Sequence, residues 1–202
     1  MEEYETIEKG KKILKIFYDE DPRNPREWDN LTKLCLSHKR YNFENALNIN
    51  FDKFHSWDEI KKYLIKEYDA ILIKPISMYD HGGIVLHLDS VLSGWDSGQL
   101  GFIFVTKEDF LKEYGKVTKK TIKKAEDLLK AEFETYKNYV EGEVFGYILY
   151  KKVKVKIIKE YENGDEIKTE ETELKEIDSC WGFYGDEGIN QIKMEVGFYN
   201  SK

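Results

Sequence analysis

Apolar residues recur along this chain in two rhythms, and each predicts a different element. Residues 13–18, Ile-Leu-Lys-Ile-Phe-Tyr, form a short apolar and aromatic run that predicts a strand, with Pro22 and Pro25 punctuating the loop behind it. Residues 31–36 read as a second strand, and the polar, Asn-rich stretch 37–50 has no period and reads as a loop. Ser56-Trp57-Asp58-Glu59 has the S-x-x-E form of a capping box, and Ile60, Tyr63, Leu64 and Tyr68 follow at helical spacing, which predicts a helix over 57–68. Residues 70–79 are strand-like, although Pro75 lacks an amide donor and belongs at a bulge or an edge. Gly82-Gly83 turns the chain into 84–88, and 101–105 follows a turn at 94–99. These three segments are expected to form an antiparallel meander.

Further on, Thr106 can cap a short helix to Tyr114, and Thr118 a longer one to about Val140, with Ile122, Ala125, Leu128 or Leu129, Phe133 and Tyr136 on one stripe. Residues 144–158 read as extended, and Asn163-Gly164 is a two-residue hairpin signal. With that turn setting the register, Lys156 faces Glu171, Lys154 faces Glu173, Lys151 faces Glu176, Val153 faces Leu174 and Val155 faces Thr172. The result is a charged β-hairpin arm over 151–176 that protrudes into solvent, its ion pairs specifying register more than stability. Residues 178–185 read as turn-rich and 187–199 as a terminal helix. The fold class is therefore α+β: a mostly antiparallel sheet packed against the helices at 57–68 and 118–140, with the arm attached, in one domain over 1–202.

Composition narrows the classes. The charge of −7 comes from 32 basic and 39 acidic residues that are largely interspersed, which disfavours nucleic acid as a general ligand. Lysine-rich 116–124 and 151–159 read as a helix face and one half of a cross-strand ladder. No apolar run approaches the ~20 residues that cross a bilayer, so no membrane partner is expected. The acidic start, Met1-Glu2-Glu3-Tyr4-Glu5, lacks the basic region and apolar run of a signal peptide, so the protein is expected to stay where it is made. Cys35 and Cys180 belong to no CxxC pair and fit neither a disulfide scaffold nor a zinc site. A buried structural thiol is the plainer reading of Cys180. The 14 Tyr and 4 Trp suit half-buried surfaces and interfaces.

Three turns carry groups with chemistry. Residues 19–29 hold five carboxylates in eleven residues, including Asp19, Asp21 and Asp29, enough oxygen for a hard cation but without EF-hand spacing. A proline-stiffened loop whose acids pair with Arg23 and Arg26 or cap amides explains the same residues. Asp80-His81 sets imidazole beside carboxylate, the pairing used for proton transfer or ligation, or for a plain Asx turn. Asp96, Ser97 and Gln99 offer an acid, a hydroxyl and an amide before a strand. With His38 these make the candidate polar site: Asp19, Asp21, Asp29, His38, Asp80, His81, Asp96, Ser97 and Gln99. A divalent cation would be its cofactor, on Asp19, Asp29, Asp80, His81 and Asp96. No Walker loop, HExxH, GxSxG or GxGxxG is present, which lowers the expectation of an enzyme. The arm offers Lys154, Lys156, Glu171 and Glu173 as a binding element.

The segments Tyr18-Asp19-Glu20-Asp21, Pro25-Arg26-Glu27-Trp28-Asp29-Asn30, His38, Tyr41-Asn42, Tyr79-Asp80-His81, Trp95-Asp96-Ser97-Gly98-Gln99-Leu100-Gly101-Phe102-Ile103, Glu134-Thr135-Tyr136 and Cys180-Trp181-Gly182-Phe183-Tyr184-Gly185 occur in this order. Together they resemble an uncharacterised family of small proteins encoded by phages, plasmids and other mobile elements. The resemblance implies a bacterial host cytoplasm and a host or mobile-element protein as partner. The expected function is that of an accessory protein that binds a host macromolecule, for instance an anti-restriction or anti-CRISPR inhibitor. The alternative is a metal-dependent enzyme or small-ligand binder using the Asp/His cluster at strand ends.

Overall fold

The computed structural model describes residues 1–90, 94–160 and 166–199. It is α+β, with two four-stranded antiparallel sheets and four helices. The chain gathers into two compact units, Asn24–Glu141 and the pair of segments Met1–Arg23 and Gly142–Lys202. Where the sequence reading expects one sheet, each unit has its own sheet and its own core.

In the unit 24–141 the elements are β3 (Lys33–Leu36), α1 (Trp57–Tyr68), β4 (Ala70–Asp80), β5 (Ile84–Leu88), β6 (Ser97–Thr106), α2 (Lys107–Tyr114) and α3 (Lys119–Glu141); β1 (Glu3–Lys9) and β2 (Lys12–Tyr18) precede them in the chain. The sheet runs β3-β6-β4-β5. The three strands expected as a meander are not one, because β4 stands between β5 and β6. The reason lies in β6, where residues 100–106 are buried without a break. A run apolar on both faces needs neighbours on both edges and a layer on both sides.

Alternation along β6 supplies those two layers. Phe102 and Phe104 join Ile60 and Leu64 of α1, while Ile103 and Val105 join Ala125, Leu129, Phe133 and Tyr136 of α3. The helical stripe thus resolves to Leu129, and Ile122 and Leu128 stay partly exposed. Caps form where the sequence signals them. Ser56 Oγ accepts from the Glu59 amide at 3.3 Å, Thr106 Oγ1 from Asp109 at 3.1 Å and Thr118 Oγ1 from Thr121 at 3.2 Å. Glu59 completes the box one residue early, taking the His55 amide at 2.9 Å. Pro75 is tolerated because β5 pairs only with Ile76–Asp80, so its nitrogen faces the side just past the end of β5. Gly101 allows β3 to lie close, since a Cβ there would sit 2.0 Å from the Cys35 carbonyl oxygen.

The other unit orders its sheet β1-β2-β7-β8, with β7 (Val144–Glu160), β8 (Glu166–Tyr184) and α4 (Gly185–Glu195). Leu14, Ile16, Phe145, Tyr147 and Leu149 form one face against Ile189 and Ile192 of α4. β1 has no counterpart in the sequence reading: pairing of its polar EYETIEK with β2 across the Gly10 turn, at φ 62, makes it an edge strand.

Two expectations about β8 are overturned. Residues 178–185 are not a turn but continue the strand to Tyr184, and their turn-like glycine, Gly182 at φ 87, is absorbed as a bulge opposite Phe145 and Gly146. The arm pairs one residue out of the expected register: Lys156 faces Glu170, Lys154 faces Thr172, Lys151 faces Lys175, Val153 faces Glu173 and Val155 faces Glu171. A second bulge, at Ile177 between the Leu149 and Tyr150 pairs, sets this register from the core end of the sheet. Asn163-Gly164 lies outside the described residues. Lys154 and Glu170 meet diagonally at 3.3 Å, both largely exposed, so the bond contributes little.

Candidate functional site

In the unit 24–141 the sheet's hydrogen bonding brings three loops to one end. Tyr79 of β4 pairs with Ser97 of β6, and beyond them the Asp80 amide donates to the Asp96 carbonyl at 2.8 Å. Leu36 pairs with Gly101 and the Ser37 amide donates to the Leu100 carbonyl at 2.9 Å, which sends the loop after β3 past the start of β6. The end of β3, the end of β4 and the start of β6 therefore adjoin.

There His38, Arg40, Asp80, Trp95, Asp96, Ser97 and Gln99 line a cleft of about 200 Å³, floored by Met78 and Leu100. Asp80 is its most enclosed acid, and its Oδ2 receives Arg40 Nη2 at 2.5 Å and the Tyr41 hydroxyl at 3.1 Å. His38 stacks on the Tyr41 ring at 5.0 Å and accepts the Arg40 amide on Nδ1 at 3.3 Å, an arrangement that leaves its proton on Nε2. His81 Nδ1 lies 3.2 Å from Asp96 Oδ2, with the imidazole 73% exposed. Across His38 and Arg40 a wider groove of about 670 Å³ opens onto Phe51, Phe54 and Trp57.

The structure thus joins His38, Asp80, His81, Asp96, Ser97 and Gln99 at one strand end. Asp29 is elsewhere in this unit, in a separate cleft with Asp109, Glu113 and Glu132. Asp19 and Asp21 belong to the other unit, where Asp19 Oδ1 takes the Asp21 amide at 3.1 Å and holds its own bend. Among the described residues no three His, Cys, Asp or Glu side chains gather as a metal ligand set. The lining offers carboxylate, hydroxyl, amide, imidazole and guanidinium groups, a set of donors and acceptors that can hold a polar ligand.

Sequence reasoning missed Arg40, the group that holds Asp80; only its nearness to His38 in the chain could have suggested it. It also missed the partner of Arg26. The Arg26 guanidinium donates to Asn30 Oδ1 at 3.1 Å and to Thr32, and its ion-pair partner is not a neighbouring loop acid but Glu132 of α3, 3.7 Å away; Glu132 also takes the Leu31 and Thr32 amides at 2.8 and 3.0 Å and the Thr32 hydroxyl. Burial lowers the Arg26 pKa, against the pull of Glu132 and Glu44. The Pro25-Arg26-Glu27 turn is therefore an anchor for the loop.

The Cys180-to-Gly185 segment is also accounted for by packing. Trp181 covers Gly146, where a Cβ would meet the indole at 1.9 Å, and the Tyr184 hydroxyl donates to the Arg23 carbonyl at 2.6 Å. Cys180 is exposed, not buried. Its position is on an outer strand, opposite Tyr147. Tyr147, whose hydroxyl donates to Asp178 at 2.8 Å, has its pKa raised by burial and by that bond. No family model, curated protein or solved structure matches this chain.

Proposed function

We propose that this protein acts by binding another macromolecule, as an accessory protein of a phage or other mobile element that engages a host factor in the manner of an anti-restriction or anti-CRISPR inhibitor. One observation carries the binding reading. Every residue of β8 from 168 to 182 is exposed, and beyond the Lys12–Lys151 pair β7 and β8 continue as a two-stranded ribbon with no further strand beside them among the described residues. A ribbon of two strands is marginal by itself and gains stability from a third strand or a packed layer. The mobile-element origin rests on the sequence resemblance alone.

The test is a pull-down from bacterial host lysate, followed by size-exclusion chromatography. The intact chain is compared with a variant in which Lys152 and Leu174, a native pair, are joined by Asn-Gly. A stoichiometric partner retained by the intact chain and lost by the shortened one is the expected result. Equal capture by both removes the arm from the reading, and capture by neither defeats it.

A second reading is favoured by the cleft at the end of β4 and β6, whose donors and acceptors suit a small polar ligand. A thermal-shift panel of Mg²⁺, Ca²⁺, Mn²⁺, Zn²⁺ and small polar metabolites, repeated on Asp96→Ala, tests it. A shift that survives Asp96→Ala, or no shift with any compound, counts against the cleft.

A further inference from the structure

The shifted register leaves a particular charge pattern on β8. Successive side chains of a strand alternate between faces, so Glu171 and Glu173 share one face, about 7 Å apart. Their cross-strand neighbours on that face are Val155 and Val153, not lysines. The other described acids of the strand have donors: Glu170 has Lys154, Glu176 has the Ser179 hydroxyl and Asp178 has Tyr147. On β7 likewise, Lys152 is satisfied by Glu8 at 2.7 Å. Among the described residues, Glu171 and Glu173 alone of the acids from 168 to 178 have neither a hydrogen bond nor an ion pair.

β8 is also an edge, paired among the described residues on one side only. Its run from 168 to 176 lies outside the bulge at Ile177, so the outward amides and carbonyls form a regular ladder site. A strand that added here would complete the ladder, and cations at two alternate positions would stand beside Glu171 and Glu173, short of Lys175 on the same face.

Resting on the macromolecule-binding reading, we infer that the outer edge of β8 between 168 and 176 docks an extended segment of a partner protein that carries Lys or Arg at alternate positions, with β-branched residues between. Main-chain bonds give such docking its affinity, and the two carboxylates give it sign and register.

The probe is a labelled nine-residue peptide of alternating Lys and Val, titrated by fluorescence anisotropy onto the full chain at low and moderate salt. Controls are the same peptide with a central Pro and a peptide of alternating Glu and Val. The Lys/Val peptide is expected to bind, the Pro-containing peptide at least about tenfold more weakly because it cannot complete the ladder, and the Glu/Val peptide not at all. The double variant Glu171→Gln/Glu173→Gln, which keeps shape and removes charge, is expected to weaken binding by about two- to thirtyfold, the range that two cross-strand pairs span. Glu134→Gln, on α3, is expected to leave it unchanged.

Equal binding of the Pro-containing peptide marks diffuse charge attraction and overturns the inference. So does an effect of Glu134→Gln equal to that of the β8 variant. Concentration-dependent association of the chain with itself that Glu171→Gln/Glu173→Gln abolishes, with no peptide binding, assigns the edge to a second copy and also overturns it. The two readings separate cleanly. If joining Lys152 to Leu174 loses the lysate partner while the Gln variant keeps it, the edge inference fails and the binding function stands.

Discussion

The carboxylate of Glu132 on α3 does four things at once. It accepts the Leu31 and Thr32 amides at 2.8 and 3.0 Å, takes the Thr32 hydroxyl, and lies 3.7 Å from Arg26 Nη1. The Arg26 side chain is only 7% exposed and that of Glu132 11%. Replacing Glu132 by Ala leaves a buried guanidinium without its counter-charge and two amides without acceptors. Breaking a buried pair from one side costs about 3–5 kcal/mol, and each bond to a charged group contributes about 1.5–3 kcal/mol. Because water enters the space left by the side chain, we expect a net loss of about 4 kcal/mol, toward the pair estimate rather than the sum. Arg26→Ala should cost about 3 kcal/mol, and the double variant less than the two together by about 2 kcal/mol or more. Urea unfolding followed by far-UV circular dichroism gives the global values, and hydrogen exchange of the Leu31 and Thr32 amides gives the local one. A loss below about 1 kcal/mol for Glu132→Ala, or strictly additive variants, would refute the view that this network anchors the loop.

Three other outcomes follow from single sites. Burial pushes the Cys35 thiol up to about 12 while Cys180 is exposed, so at pH 8 one thiol per chain should react with a disulfide reagent in the native state and two in denaturant. Gly146→Ala sets a Cβ 1.9 Å from the Trp181 ring and should destabilise its unit by about 1–3 kcal/mol with a change in tryptophan emission; unchanged stability and emission would show that the indole moves aside freely. Partial burial would raise the Asp109 pKa, but bonds from Lys33 and Thr106 outweigh it and hold the carboxyl below its ordinary value. Its stabilising effect is thus present above the unfolded-state carboxylate range and fades as pH falls through the depressed value; Asp109→Asn should flatten the acid limb of the stability curve, and an unaltered limb would count against that sign.

Legibility in the sequence followed the range of the interaction. The helix at 57–68 was written in adjacent residues, Ser56 with Glu59 and the Ile60–Leu64 spacing, and the structure ends it where expected. β1 was hidden because an edge strand exposed along most of its length needs only Ile7 and a turn glycine. The arm's register depended on Ile177, a bulge that no local pattern announces. Gly182 was read as turn chemistry because φ > 0 in a strand and in a turn ask for the same residue. At the cleft, His81 and Asp96 were legible as candidates since one follows a strand and the other precedes one, and the β4–β6 pairing then joins them. Asp29, equally acidic and beside a proline turn, was indistinguishable from them by composition. Arg26 and Glu132 could not be matched at all, because nothing local links a loop to a helix face so distant in the chain.

The order of the strands has a consequence for synthesis on the ribosome. β2 and its neighbour β7 are separated by the whole of 24–141, so the first hairpin must wait, half built, while the intervening unit emerges complete. That unit is contiguous and can collapse as soon as α3 clears the exit tunnel, whereas the sheet of β1, β2, β7 and β8 closes last and over a long loop. Excising 24–141 as a free polypeptide should therefore yield a folded product, and bridging Arg23 to Gly142 with a short linker should speed the assembly of what remains.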